Sequence, residues 1–260
     1  MLVLLPPSEG KTAPDPGLPA ARLDALVSPA LVPYREKVLD ALAEVSARPD
    51  ALDVLGAGAS LRAEVAANTA LRGAPAAPAS EVYTGVLFAA AGLADLPPAA
   101  AARATDDVLI ASALWGVVRP VDPIPAYRLS MKTDLPGVGP LARFWRGALA
   151  EPLDARAAGD VVVDCRSGGY VAAWRPAPGV DWLAVQVLRE VDGHRSVVSH
   201  HAKHTRGVLT RHLLTRPGAL PRTSEDVAHA SAELIGESLL AVELGEPTSK
   251  GARTLSLIVA

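Results

Sequence analysis

Short apolar runs of strand length alternate with segments of helical period along this chain, and that alternation constrains the fold more than any other feature. Leu2–Leu5 and residues 82–87, 108–113 and 161–163 are apolar or β-branched runs of the length of buried strands. Between them, residues 20–45 repeat apolar side chains every three or four positions with breaks near Pro29 and Pro33, which predicts two short helices. Residues 51–67 predict two more, joined at Gly56-Ala57-Gly58, and residues 99–103 and 141–149 also read as helical. The stretch 118–127 is a proline-dense structured loop. Further on, residues 182–191 and 195–199 alternate as paired strands around Asp192-Gly193, the sequence of a two-residue hairpin turn. Residues 200–214 and 224–234 complete the helices, and 254–259 is a closing strand. Strands interleaved with helices predict an α/β fold with a mixed sheet flanked by helices. A length of 260 residues is consistent with one domain, 1–260.

Half of the residues are apolar but only 4% are aromatic, so the core is expected to be aliphatic. The single cysteine, Cys165, has no intramolecular disulfide partner, and no quartet of Cys and His has structural zinc spacing. The N-terminal apolar run stops at Pro6-Pro7, too short for a secretory core, and no stretch approaches 18 apolar residues. A cytoplasmic protein with no membrane span, no metal and no cofactor is expected.

Charge is unevenly placed. The chain has a formal net charge of −3, yet residues 193–222 contain no acidic residue and hold Arg195, Lys203, Arg206, Arg211, Arg216 and Arg222 with five of the six histidines. On a helix from His200, the residues Ala202, Leu209 and Leu213 face a core. Lys203, Arg206 and Thr210 form one polar stripe, and His200, His204, Gly207 and Arg211 form another. Three readings stay open: a solvated face with cations near a helix C-terminus, a phosphate-binding surface, or His200 and His204 as metal ligands lacking a third partner. Gly207 costs about 1 kcal/mol in mid-helix relative to Ala and marks a close backbone approach or ligand access.

Three other constellations bear on chemistry. Leu5-Pro6-Pro7-Ser8-Glu9-Gly10-Lys11-Thr12 ends like a phosphate loop, but Leu5 stands where that motif needs glycine and the prolines remove cradling amides. Ser8, Glu9 and Lys11 still suit the rim of a polar pocket. In residues 114–129, three prolines stiffen a loop bearing Arg119, Asp122, Tyr127 and Arg128; the plainer alternative pairs Asp122 with an arginine and packs Tyr127. Cys165 follows a strand, a position typical of α/β sites, but Val171 stands where a phosphatase needs arginine, so a buried small residue is expected. Gly56 and Gly58 match the turn of a helix-hairpin-helix imperfectly and an ordinary helical turn equally well.

Several of these blocks resemble the peroxide stress protein YaaA family: Leu4 through Thr12, then Val82-Tyr83-Thr84-Gly85-Val86-Leu87, then Leu114-Trp115-Gly116 through Arg119-Pro120, Asp122 and Tyr127-Arg128-Leu129, and finally Ala202-Lys203-His204-Thr205-Arg206-Gly207. His201 replaces a family tyrosine, and Asp164, Gly169 and Ala172 replace family Asn, Glu and Lys. The resemblance implies a single compact domain with a positively charged cleft, DNA binding that includes a helix-hairpin-helix at Gly56 and Gly58, and a role against peroxide stress linked to limiting free-iron damage. Two functions follow as expectations. In the first, Lys11, Arg119, Arg128, Lys132, Lys203, Arg206 and Arg211 line a cleft for DNA, held by its phosphates with weak sequence specificity. In the alternative, Ser8, Glu9, Asp122, Tyr127 and Arg206 converge in an enzyme pocket for a nucleotide, nucleobase or other small anionic ligand.

Overall fold

Five parallel strands form the centre of the molecule. The computed structural model describes residues 1–197, 200–248 and 251–260. Its main sheet contains β1 (Leu2–Leu5), β2 (Val108–Ser112), β3 (Gly116–Val118), β4 (Val161–Asp164), β5 (Asp181–Val191), β6 (His194–Val197), β7 (Ala241–Leu244) and β8 (Ala252–Val259). The order is β7-β8-β5-β4-β1-β2-β3, with β6 paired to β5. β2, β1, β4, β5 and β8 run parallel, while β3, β6 and β7 are antiparallel additions. Every residue of β1, β2 and β4 is buried, which is why these strands are continuous apolar runs rather than alternating ones.

The connection from β1 leads to β2 on one side, whereas β4, β5 and β8 build out on the other. The strand order therefore reverses between β1 and β4, and the carboxyl ends of such strands are where open α/β sheets form a ligand crevice. Register places Leu4 opposite Asp164 and Leu5 opposite Ile110, so β4 ends one residue short of Leu5 and β2 runs two residues past it.

The helices are α1 (Val32–Ser46), α2 (Ala51–Leu55), α3 (Arg62–Ala67), α4 (Ala79–Val82), α5 (Val86–Ala91), α6 (Pro98–Asp107), α7 (Leu141–Ala157), α8 (Gly168–Val171), α9 (His200–Thr215) and α10 (Ser224–Ala232). The last begins with a reciprocal capping box between Thr223 and Asp226. No helix among the described residues is long and apolar enough to cross a membrane.

Two expectations about local structure are corrected. Residues 20–45 contain one long helix, α1, preceded by a 3-10 turn at Pro29–Leu31; Pro33 lies in the first turn of α1, where its missing amide has no intrahelical partner to lose. Residues 82–87 are not a strand. α4 ends at Val82, Tyr83 makes an isolated bridge to Lys11, and α5 starts after Gly85. Gly85 has φ 130°, and a Cβ there would stand 2.7 Å from Ser8 Oγ, so the turn needs glycine. The hairpin forms as expected, with Asp192 and Gly193 both at positive φ. The end of the expected second strand at Ser199, the side chain of His200, and Ser249-Lys250 lie outside the described residues.

Candidate functional site

The crevice is built on the loop that leaves β1. Pro6-Pro7 end the strand, and the chain turns so that Lys11 bridges Tyr83. Lys11 Nζ donates to the carbonyls of Ser8 (2.9 Å) and Glu9 (3.3 Å) and lies 4.3 Å from the ring centre of Tyr127 and 5.5 Å from that of Tyr83. These contacts hold an ammonium group away from bulk water. Burial first, and the nearby Arg128 guanidinium second, lower its pKa to about 8, against the opposing pull of Glu64 and Glu9. Arg128 Nη1 donates to the same Glu9 carbonyl at 3.3 Å. Its backbone is pinned on both sides by the buried amide of Asn68, at 2.9 Å each way. Two cations thus converge on one carbonyl oxygen. The stem of exposed Lys132 packs against Gly169, in the first turn of α8.

Behind Lys11 runs a chain of hydroxyl groups. Ser112, the last residue of β2, accepts hydrogen bonds from the amides of Leu114 (3.2 Å) and Trp115 (2.9 Å). Both lone pairs are then occupied, so its own proton goes to Tyr127, whose hydroxyl lies 2.8 Å away and 2.9 Å from that of Tyr83. Burial pushes the phenols of Tyr83 and Tyr127 above their ordinary range, so both stay protonated.

Other expected site residues are held elsewhere. The carboxylate of Asp122 accepts from the amides of Val27 and Arg119 and from the Arg119 guanidinium at 2.9–3.0 Å, and it is 1% exposed. This is the plainer alternative for that loop: a local pair that fixes chain direction. Arg206 Nη2 donates to the Val185 carbonyl at 2.8 Å, and its buried Nε has no partner among the described residues. Arg211 Nη1 donates to the carbonyls of Ala91 and Gly92 at the C-terminus of α5. Lys203 and His204 are exposed. The polar stripe expected on α9 is therefore partly internal, with Thr210 fully buried. Gly207 is the close approach: a Cβ there would stand 2.8 Å from Ala90 Cβ and 3.0 Å from the Ala91 amide. Among the described residues, no group of three His, Cys, Asp or Glu is placed to hold a metal ion.

Cys165 is fully buried beyond β4, and burial raises its thiol pKa to about 12 despite the Arg206 charge. Gly56 ends α2 in the left-handed conformation, and Gly58 is extended before a 3-10 turn that leads into α3. Glu64 of α3 lies 3.9 Å from Arg128, which places this helical hairpin beside the crevice.

Sequence reasoning missed Arg35. It is completely buried and donates to five backbone carbonyls, of Trp115, Leu23, Ser28, Val27 and Val117. Burial lowers its pKa to about 10. Within an amphipathic segment it reads as one more surface cation, and no local signal marks it. Ser112 and Asn68 are equally silent.

The residues that meet in the crevice, Ser8, Lys11, Tyr83, Tyr127 and Arg128, come from three separate sequence blocks. A model of the peroxide stress protein YaaA family matches residues 1–230. The chain belongs to that family. The UPF0246 protein of Streptomyces coelicolor is 44% identical over 261 residues, covering 100% of this chain and 98% of the relative. A UPF0246 protein of Corynebacterium efficiens is 39% identical over 263 residues, with full coverage of both. The crevice residues fall within the span matched by the family model and by both relatives.

Proposed function

We propose that this YaaA-family protein serves the peroxide stress response by holding nucleic-acid phosphates at the strand-end crevice. The observation that carries the reading is the convergence of Lys11 and Arg128 on the Glu9 carbonyl, with exposed Lys132 beside Gly169 of α8 as a further cation. Such a concentration of positive charge at the end of a parallel sheet attracts phosphate oxygens. The hairpin around Gly56 and Gly58, beside Arg128, offers a second set of amides to the same backbone. Binding is favoured over acid–base chemistry because Asp122 and Tyr127 are already engaged by internal partners.

The test is fluorescence anisotropy of a labelled DNA duplex over a salt series. Each lost phosphate contact lowers the slope of log affinity against log salt by about 0.9. Arg128→Gln combined with Lys132→Gln is expected to weaken binding and reduce the slope by about 1.8. Unchanged affinity and slope would refute the reading.

A further inference from the structure

A cavity of about 250 Å³ lies behind α8, apart from the crevice just described. Register places Asp164 opposite Ala184 and Trp182 opposite Ala252, so these four residues share one face of the sheet. Val171 closes one wall, and exposed Arg175 and Thr248 stand at the mouth.

The floor is a buried ion pair, with Asp164 3% and Arg166 6% exposed. Counting donors shows what it offers. Asp164 accepts from the Arg166 amide (3.0 Å), Nε (2.9 Å) and Nη2 (2.8 Å) and from Trp182 Nε1 (3.2 Å), which occupies both oxygens. Arg166 uses four of its five N–H groups, on the two Asp164 oxygens, on the Trp174 carbonyl (3.0 Å) and on the Tyr170 carbonyl (3.3 Å). One charged N–H on Nη1 remains. Arg175 forms no ion pair or hydrogen bond among the described residues. The polar groups of the cavity thus carry one surplus positive charge, with no free carboxylate to compete for it, beside the indole of Trp182.

We propose that this cavity binds a small anion carrying a planar ring, with the ring between Trp182 and Val171 and the negative group at Arg175 and the spare Arg166 N–H. The volume suits a body of one or two fused rings. A nucleoside monophosphate and an aromatic carboxylate share this chemistry. The site is independent of the crevice and of the DNA reading.

Tryptophan fluorescence and thermal shift, with adenosine monophosphate and 4-hydroxybenzoate as separate probes, test it. Saturable binding of either probe supports the proposal and names the source of the anion. Arg175→Ala is expected to weaken that binding about tenfold or more, as loss of a charge-assisted contact does, and Arg175→Lys to restore part of it. Ala184→Leu fills the cavity and abolishes binding, with circular dichroism confirming the fold. Arg128→Gln leaves binding unchanged. The proposal is overturned if neither probe saturates at millimolar concentration, or if Arg175→Ala and Ala184→Leu both bind as the parent does.

Discussion

Lys11 holds its ammonium 4.3 Å from the ring centre of Tyr127 while donating to the carbonyls that precede it, so one cation fixes the loop after β1 and faces the aromatic wall behind it. The arrangement is satisfied in geometry and costly in desolvation, and that tension is measurable.

With a folded pKa near 8 against an ordinary lysine value of 10.5, the unfolded chain binds more protons between those pH values. Stability from this group therefore rises as pH climbs through that window, and below about 8 the charged form carries its full burial cost. Denaturant unfolding of the parent is expected to gain on Lys11→Met between pH 8 and 10, with the two curves running parallel below pH 7. In a lysine NMR titration, Arg128→Gln raises the Lys11 midpoint because it removes a nearby like charge.

Arg35→Met keeps much of the volume but strands the carbonyls of Trp115 and Val117 in the interior. A loss of roughly 3 kcal/mol or more is expected in chemical denaturation. Arg35→Lys recovers only part, since one ammonium does not reproduce a planar fork with five donors. A loss under about 0.5 kcal/mol would show that the carbonyls find other partners.

Exposed glycine in a helix normally gains about 1 kcal/mol on replacement by alanine. At position 207 the sign reverses, because the new methyl meets the Leu87 carbonyl, Ala90 and the Ala91 amide of α5. Gly207→Ala is expected to lower stability by about 1–3 kcal/mol, read as a drop in melting temperature.

Cys165 is fully buried with its thiol pKa pushed up to about 12. Thiolate is the form that reacts with peroxide. Mass spectrometry after hydrogen peroxide treatment is expected to find Cys165 unmodified in the folded protein and oxidised once denaturant is added. Sulfenic acid at this position in the native state would contradict the burial.

The strands β1, β2 and β4 were legible because they are buried on both faces and their sequences contain little else than apolar residues. Residues 82–87 misled for the same reason: Val, Tyr, Thr and Leu in a short run look like a strand, and only the structure shows that Gly85, at φ 130° beside Ser8, breaks the run before a helix. Charge counting found the basic segment and the family blocks singled out Ser8, Lys11, Tyr127 and Arg128, but neither showed where the guanidinium groups go. Arg206 and Arg211 reach backbone carbonyls of β5 and α5, partners that lie about 20 and 120 positions away. The Asp164–Arg166 pair sits only two residues apart, yet its meaning depends on Trp182 and the cavity wall, which the strand order supplies.

That strand order also sets a timetable for synthesis. Val3 pairs with Val108 on one side and Val163 on the other. A nascent chain emerging from the ribosome therefore carries a fully apolar β1 with no neighbour until β2 appears, and with an open flank until β4 does. Over that interval the segment is a natural client for a holding chaperone, and translation pauses before residue 108 lengthen its exposure.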